Sequence, residues 1–412
     1  MKTKLSLASI IAGGMMVATS GSASAADLGG DCCADLEERV ATLEATTVRK
    51  GNRKVSLTIS GWVHKGILYW DDGVDSDVYA GLDETNASTR FRFTGKANIN
   101  ADWSAGYKIE IETNGDRVLT VSQASDDNGA GITLRQSNMY IKNKQLGTVS
   151  WGLISPGSDD LTFFSSGASV FAAQADLLST FFFDVGNGAN TTTVGDLAGS
   201  LNGVLYFEGA LRNNLIRYDT PTIGGFKFTA TWGEDDFWDV AVRYTQKLGD
   251  FTLKAAASYS EFGGTNDIAG ATRGYTDEAH TLVNAGLKHN PTGLFVHAQY
   301  SQFDWEGSAT SPDLDSDGYY IQAGIEQRFN SLGKTTLYGA YAEIEDGYVR
   351  ASTAEVANGS STEVTKFDLG IIQNIDAAAM QLYVVYSHQE FEINGVDQKD
   401  LDIVNFGGVI KF

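Results

Sequence analysis

From Val55 to the last residue, apolar and polar side chains alternate along the chain. In one such run Phe226, Phe228, Ala230 and Trp232 share a parity, set against Lys227, Thr229 and Thr231. The final stretch keeps Val404, Phe406, Ile410 and a terminal Phe412 on one parity. A period of two predicts strands with one apolar face and one wet face. When nearly the whole chain reads this way and no helical core interrupts it, the expected fold is all-β, a closed antiparallel barrel in a bilayer. Lipid offers no water to satisfy the edges of an open sheet.

Turn chemistry sets the strand count. Short connections are expected at 100–102, 143–147, 219–225, 247–250, 290–293, 330–334 and 374–377, rich in Asn, Asp and Gly. Seven tight turns predict eight hairpin-linked pairs, about sixteen strands. All four prolines, Pro156, Pro221, Pro291 and Pro312, fall in connections, where a ladder hydrogen bond is not lost. The intervening connections read as long and acidic: Asp71, Asp72, Asp75 and Asp77 in the first, Glu234, Asp235 and Asp236 in the fourth, Asp313, Asp315 and Asp317 in the sixth. Trp70, Trp103, Trp232, Trp238 and Trp305 fall at expected strand ends, the level of an interfacial aromatic girdle.

The first residues read differently. Residues 1–25 carry Lys2 and Lys4, an apolar run, and Ala23-Ser24-Ala25 as a small-residue cleavage site, the pattern of a secretory signal peptide. Residues 26–54 form a second segment, in which Leu36, Val40 and Leu43 make a short heptad stripe. Two readings of that stripe stay open: a small coiled-coil helix, or a periplasmic tether without fixed structure. Cys32 and Cys33 are adjacent, so a bond between them would close a strained ring.

Composition narrows the function. The chain has 412 residues, 46 Gly against 4 Pro, and a formal net charge of -22, which argues against a nucleic-acid partner. A mean hydropathy of -0.17 is too polar for a helical membrane protein. Within the barrel region, 55–412, Phe91, Phe93, Ala97 and Ile99 alternate with Arg90, Arg92, Thr94, Lys96 and Asn98. Cations so closely spaced cannot face lipid and should line a water-filled lumen. Lys108, Lys227, Arg243 and Lys254 follow by the same parity, whereas Arg135 sits in a strand that does not alternate cleanly. The longest non-strand stretch, 154–211, holds Asp159, Asp160, Asp176 and Asp184 with Phe181, Phe182 and Phe183. A loop of that length and apolar content is expected to fold into the barrel as a constriction, its acids facing the basic wall. An exposed surface loop is the bland alternative. Acidic residues at the mouth suggest mild cation preference, and the basic wall opposes it.

Certain segments resemble the trimeric general porins of Gram-negative outer membranes, most closely the alphaproteobacterial branch. They are Leu36-Glu37-Glu38-Arg39-Val40-Ala41-Thr42-Leu43-Glu44 running into Lys50-Gly51-Asn52-Arg53-Lys54-Val55-Ser56-Leu57, then Arg217-Tyr218-Asp219-Thr220-Pro221 and Trp232-Gly233-Glu234-Asp235-Asp236. Phe412 looks like the porin assembly signal. The resemblance implies a homotrimer of sixteen-stranded barrels, an inward-folded third loop, a second loop near 114–131 latching a neighbour, and a trimerising heptad stripe. It implies an outer-membrane channel for passive diffusion of small hydrophilic solutes and ions, with no cofactor. A substrate-specific channel and a plugged structural or adhesive barrel remain as alternatives.

Two further motifs point elsewhere. Asp313-Leu314-Asp315-Ser316-Asp317-Gly318 copies the opening of a calcium loop, but its twelfth position is Gly324 where a bidentate Glu is needed. Diffuse divalent binding among surface carboxylates and lipopolysaccharide phosphates stays open. The five histidines are scattered, with no His-Glu-x-x-His and no Gly-x-Ser-x-Gly, so an enzyme is disfavoured unless a Ser-His pair assembles from distant strands.

Overall fold

The structure, a computed structural model, describes residues 54–83, 87–114, 118, 121–123, 131–172, 182–183, 192–193, 212–234, 236–263, 275–307, 313–345 and 361–412. The signal peptide, Leu36, Val40 and Leu43, and both cysteines lie outside them. In chain order the elements are β1 (Ser56–Asp71), β2 (Ser76–Asp83), β3 (Arg90–Asn98), β4 (Trp103–Asn114), β5 (Gly131–Asn143), β6 (Gly147–Ile154), the helix α1 (Leu161–Ser165), β7 (Phe182–Phe183), β8 (Thr192–Thr193), β9 (Asn213–Asp219), β10 (Phe226–Gly233) and β11 (Trp238–Leu248). There follow β12 (Phe251–Gly263), β13 (Tyr275–His289), β14 (Leu294–Gly307), β15 (Leu314–Gln327), β16 (Thr335–Glu345), β17 (Thr362–Ile375), β18 (Met380–Ile393), β19 (Val396–Asp397) and β20 (Leu401–Lys411).

Sixteen of these close a barrel in which every neighbour is antiparallel. Closure comes from β1, which pairs with β3 along its first half and with β20 from Trp62↔Lys411 to Asp71↔Asp402. The terminal Phe412 completes the seam: its amide donates to the Gly61 carbonyl and its carbonyl accepts from the Gly61 amide, both at 3.0 Å. Its ring packs on Phe91 at 5.8 Å between centroids. The short β2 pairs with Lys65–Asp71 of β1, on the edge that β3 leaves beyond Trp62, and β19 pairs with the end of β18 at Glu392 and Ile393.

All seven tight turns form where the Asn, Asp and Gly clusters predict them. The Asn100 carboxamide oxygen accepts from the amides of Asp102 and Trp103 at 2.9 Å, and Asn143 does the same for Gln145 and Leu146. The fourth opposite-side connection is not long, as the acidic run suggested. Only Glu234 to Phe237 separate β10 from β11, Asp236 takes a left-handed φ of 56°, and Phe237 turns inward and is buried. Burying Phe237 against Ile154 and Leu215 pulls the chain into a tight corner.

Parity behaves as a membrane wall requires. Val63, Ile67, Phe91, Ile216, Phe228, Leu369 and Ile371 point outward and are exposed in the isolated chain, whereas His64, Asn284, Gln322 and Asp368 point inward and are buried. Moving each such large apolar side chain into hydrocarbon is worth about 1.5–3 kcal/mol, and a one-residue slip would turn the whole set inward, so register is strongly fixed. Trp70 departs from the girdle expectation. It shares the inward parity of β1 with His64 and Leu68 and packs on Tyr79. The placement of Asp315 and Asp317 in the sixth connection is also corrected. From Leu314 the segment is a strand, and an extended chain cannot curl its carboxylates around one ion.

At Gly293 the turn between β13 and β14 requires φ of 72°, and a Cβ there would collide with the Glu326 carbonyl. Gly293→Ala should destabilise the barrel by about 1–2 kcal/mol. The measurement is the urea midpoint of the detergent-folded protein, and an unchanged midpoint would refute the assignment.

Candidate functional site

The connection after β6 enters the barrel and is fastened along one half of its wall. Arg217 on β9 donates from Nη1 to the carbonyls of Ser155 and Pro156 at 3.0 Å. Arg243 on β11 donates to the carbonyls of Gly157 and Asp159 at 2.8 and 3.0 Å. Asp239 accepts from both the amide and the hydroxyl of Ser158. Further on, Asn284 of β13 donates to the Leu161 carbonyl, and the Ser165 hydroxyl reaches Asn284 Oδ1 and His297 Nδ1 at 2.7 and 2.8 Å. Ser166 bonds Gln322 of β15, Tyr338 of β16 donates to the Ala172 carbonyl, and Phe171 packs edge-on to Trp62 and His64 of β1. Residues 155–172 therefore sweep around the lumen from β9 to β1.

Apolar burial supports these bonds. Leu161 sits among Ala241, Ala256, Leu282, Tyr320 and Ala342, and Ala168 and Ala172 among Phe295, Tyr338, Ile372 and Tyr383. The inward faces of β12 to β18 are rich in aromatic and aliphatic residues because they carry a loop and not a channel surface.

Facing this loop, the inward row of β3 to β5 is a charge cluster. Glu110, fully buried, is reached by Arg90 at 3.4 Å, Lys108 at 3.3 Å, Arg135 at 3.0 Å and, more closely, by Arg92. Arg135 also binds Glu112 at 2.8 Å. A carboxylate buried without partners would cost several kcal/mol, so these cations hold Glu110 ionised and the carboxylates hold four like charges together. A register shift between Glu110 and Ile111, opposite Gln136 and Leu134, is why Arg135 resisted assignment. The bulge sets Arg135 on the inward side out of alternation.

Among the sequence-derived positions, Arg90 is buried while Arg92 and Lys108 are partly open to the lumen. Lys96 is exposed lower on the same row. Arg243 lies on the inward wall but clamps the loop backbone instead of facing it across the passage. Asp159 is buried against Arg212 at 3.1 Å. Asp160 is exposed, in a left-handed conformation with φ of 61°. The neighbouring Asp159 charge raises its carboxyl to about 6, against the pull of Arg212, Arg135 and Arg90. Asp176 and Asp184 lie outside the described residues. Sequence reasoning missed Glu110, Glu112, Arg212, Arg217 and Asp239. For Glu110 and Glu112 the signal was present, since both continue the inward parity of Lys108.

At the tight-turn end a cleft of about 500 Å³ is lined by Lys288, Glu326, Arg328 and Lys334. Lys288 and Lys334 both reach Glu326 Oε1 at 2.7 Å.

A Cβ on Gly286 would collide with the backbone carbonyl of Ser165. Gly286→Ala should lift α1 off the wall and open residues 155–172 to protease, while the barrel keeps its folded, heat-resistant mobility. Undiminished protection would show that the loop is not held there.

No curated relative matches the sequence. The fold is similar to OmpT of Vibrio cholerae lacking loop L8, at 14% identity with 87% of this chain and 100% of that one covered and a TM-score of 0.55. It is also similar to an anion-selective porin of Comamonas acidovorans, at 18% identity, 87% and 100% coverage and a TM-score of 0.53. For OmpF of Salmonella typhi in complex with daunomycin the values are 14%, 88% and 99%, and 0.53. A profile described as Gram-negative porin matches residues 11–394, and the chain belongs to that family.

Proposed function

We propose that the chain is a general diffusion porin of the outer membrane, passing small hydrophilic solutes and ions down their gradients. The observation that carries this reading is the opposition of a wall-fastened loop bearing Asp159 and Asp160 to the Glu110-centred cation cluster, inside a closed barrel. Such an arrangement sets an exclusion size and a transverse field without turnover. Among the described residues two Ser-His contacts form, Ser165 with His297 and Ser301 with His280, but both serines are buried and the Ser165 hydroxyl is already engaged by Asn284, which supports a channel and not a hydrolase.

The assembled form is a homotrimer of the alphaproteobacterial general type, with residues 1–25 removed as a signal peptide and residues 26–54 in the periplasm, where Leu36, Val40 and Leu43 form a short coiled coil. The barrel spans 55–412, with 154–211 as the constriction loop and Asp176 and Asp184 among its acids. Outward carboxylates such as Glu363 and Glu390, set beyond Phe367 and Tyr386 on the same face, favour lipopolysaccharide contacts bridged by loosely held divalent cations.

The dense packing of the inner wall of β12 to β18 favours one second reading, a plugged barrel. Planar-bilayer recording separates the two. Current closing in three equal steps is expected; inserted protein that passes none would leave the plugged reading. Because the neighbouring Asp159 charge raises the Asp160 carboxyl above the usual carboxylate range, Asp160 loses its charge as the pH falls through that raised range, which should shift the reversal potential toward anions. Asp160→Asn should remove the shift, and a wild-type profile flat from pH 8 to 5 would discard this role.

A further inference from the structure

Strand parity sorts the charges of this chain, and the sorting runs against its net charge. Among the described strand residues, lysines and arginines face the lumen except Lys65, which shares the outward parity of Val63 and Ile67 and lies 3.5 Å from Asp83. From β14 to β20 the outer ends of the strands do the reverse. Asp304, Asp317, Glu343, Glu363, Glu390 and Asp402 share the outward faces of exposed Tyr300, Ile321, Leu337, Phe367, Val384 and Phe406. These carboxylates lie on the outside of the wall, away from the water path, so the net charge of -22 does not measure the charge in the lumen.

Inside, one ratio recurs at three places. Asp219 is bound by both Arg217 and Lys227, at 2.9 and 2.8 Å. Glu326 is bound by both Lys288 and Lys334. Glu110 and Glu112 are shared by four cations, a surplus of two positive charges on the wall, which Asp159, Asp160 and Arg212 of the opposing loop reduce to one across the constriction. Each carboxylate holds its cations in place and neutralises only part of their charge.

Within the constriction cluster the Arg92 guanidinium is the most open to the lumen, Arg135 being 13% exposed and held by both Glu110 and Glu112. Arg90 spends Nε and Nη2 on Ser88 and Nη1 on Glu110. Arg92 gives Glu110 only its Nε, lies over the Trp62 ring at 4.5 Å, and is 31% exposed; its Nη1 and Nη2 have no partner among the described residues. Lys108 stands beside it, 28% exposed. Two parallel donors on a plane fixed by an aromatic ring match a carboxylate or phosphate edge.

We propose that the lumen prefers anions, and that the free fork of Arg92 with the Lys108 ammonium forms a transient subsite for solutes bearing carboxylate or phosphate groups. This deepens the diffusion-porin reading and rests on it. The test is the reversal potential of the purified protein in a potassium chloride gradient. The sign should report chloride over potassium. Arg92→Gln with Lys108→Gln should lower the anion-to-cation permeability ratio at least about fivefold, since a unit charge at contact distance in water is worth about 1 kcal/mol. Asp304→Asn with Glu343→Gln, on the outer face, should leave the ratio unchanged. Inorganic phosphate should reduce the chloride current, and Arg92→Lys, which keeps the charge and loses the fork, should weaken that block. Potassium preference in a conducting wild type, or an equal response to the outer-face pair, overturns the selectivity. No phosphate block in the wild type removes the subsite. Protein that inserts and never conducts fails the porin reading instead.

Discussion

Everything in this molecule depends on satisfying backbone hydrogen bonds where lipid supplies none. The pairing of β1 with β20, completed by Phe412 on Gly61, removes the last free edge. Once closed, the wall has two faces that cannot exchange residues, because every side chain is committed by its register. The alternation along each strand then becomes a partition between hydrocarbon and water.

That partition explains why the lumen can hold groups that would be costly elsewhere. Glu110 is fully buried and ionised because four cations converge on it from β3, β4 and β5. Strands bonded on both edges are stiff supports, so the cluster is held by geometry and not by one strong pair. The opposing loop is fixed differently. Its backbone carbonyls are gripped by Arg217 and Arg243, its side chains by Asp239, Asn284 and Gln322, and its apolar residues fill the aromatic side of the lumen. The inner wall is thus divided into a sector that carries the loop and a sector that meets the solute.

The same partition separates net charge from local charge. A sum over the chain counts the carboxylates of the outer strand ends equally with those of the lumen, although only the latter share the water path. Screening over about 8 Å at physiological salt, together with the low-dielectric wall between, weakens the outer set at the constriction. Selectivity is therefore a property of faces and not of composition.

The sequence by itself determined the strands, their number, the seven turns and the inward row of Arg90, Arg92, Lys96 and Lys108. These rest on local rules: a period of two, turn residues with their own hydrogen bonds, and the cost of a cation in lipid. It misjudged the connection at Glu234–Phe237, where burial of Phe237 shortened the turn, and the side of Trp70, which position at a strand end could not reveal. Only the tertiary structure decided that Arg135 turns inward, that Arg243 clamps the loop, that Asp160 is exposed while Asp159 is paired with Arg212, and that Glu110 gathers four cations. Each of these depends on residues far apart in the chain meeting across a closed wall, or on a bulge that breaks the alternation. No local pattern encodes such meetings, because they are set by the register of neighbouring strands and the path of the loop inside them.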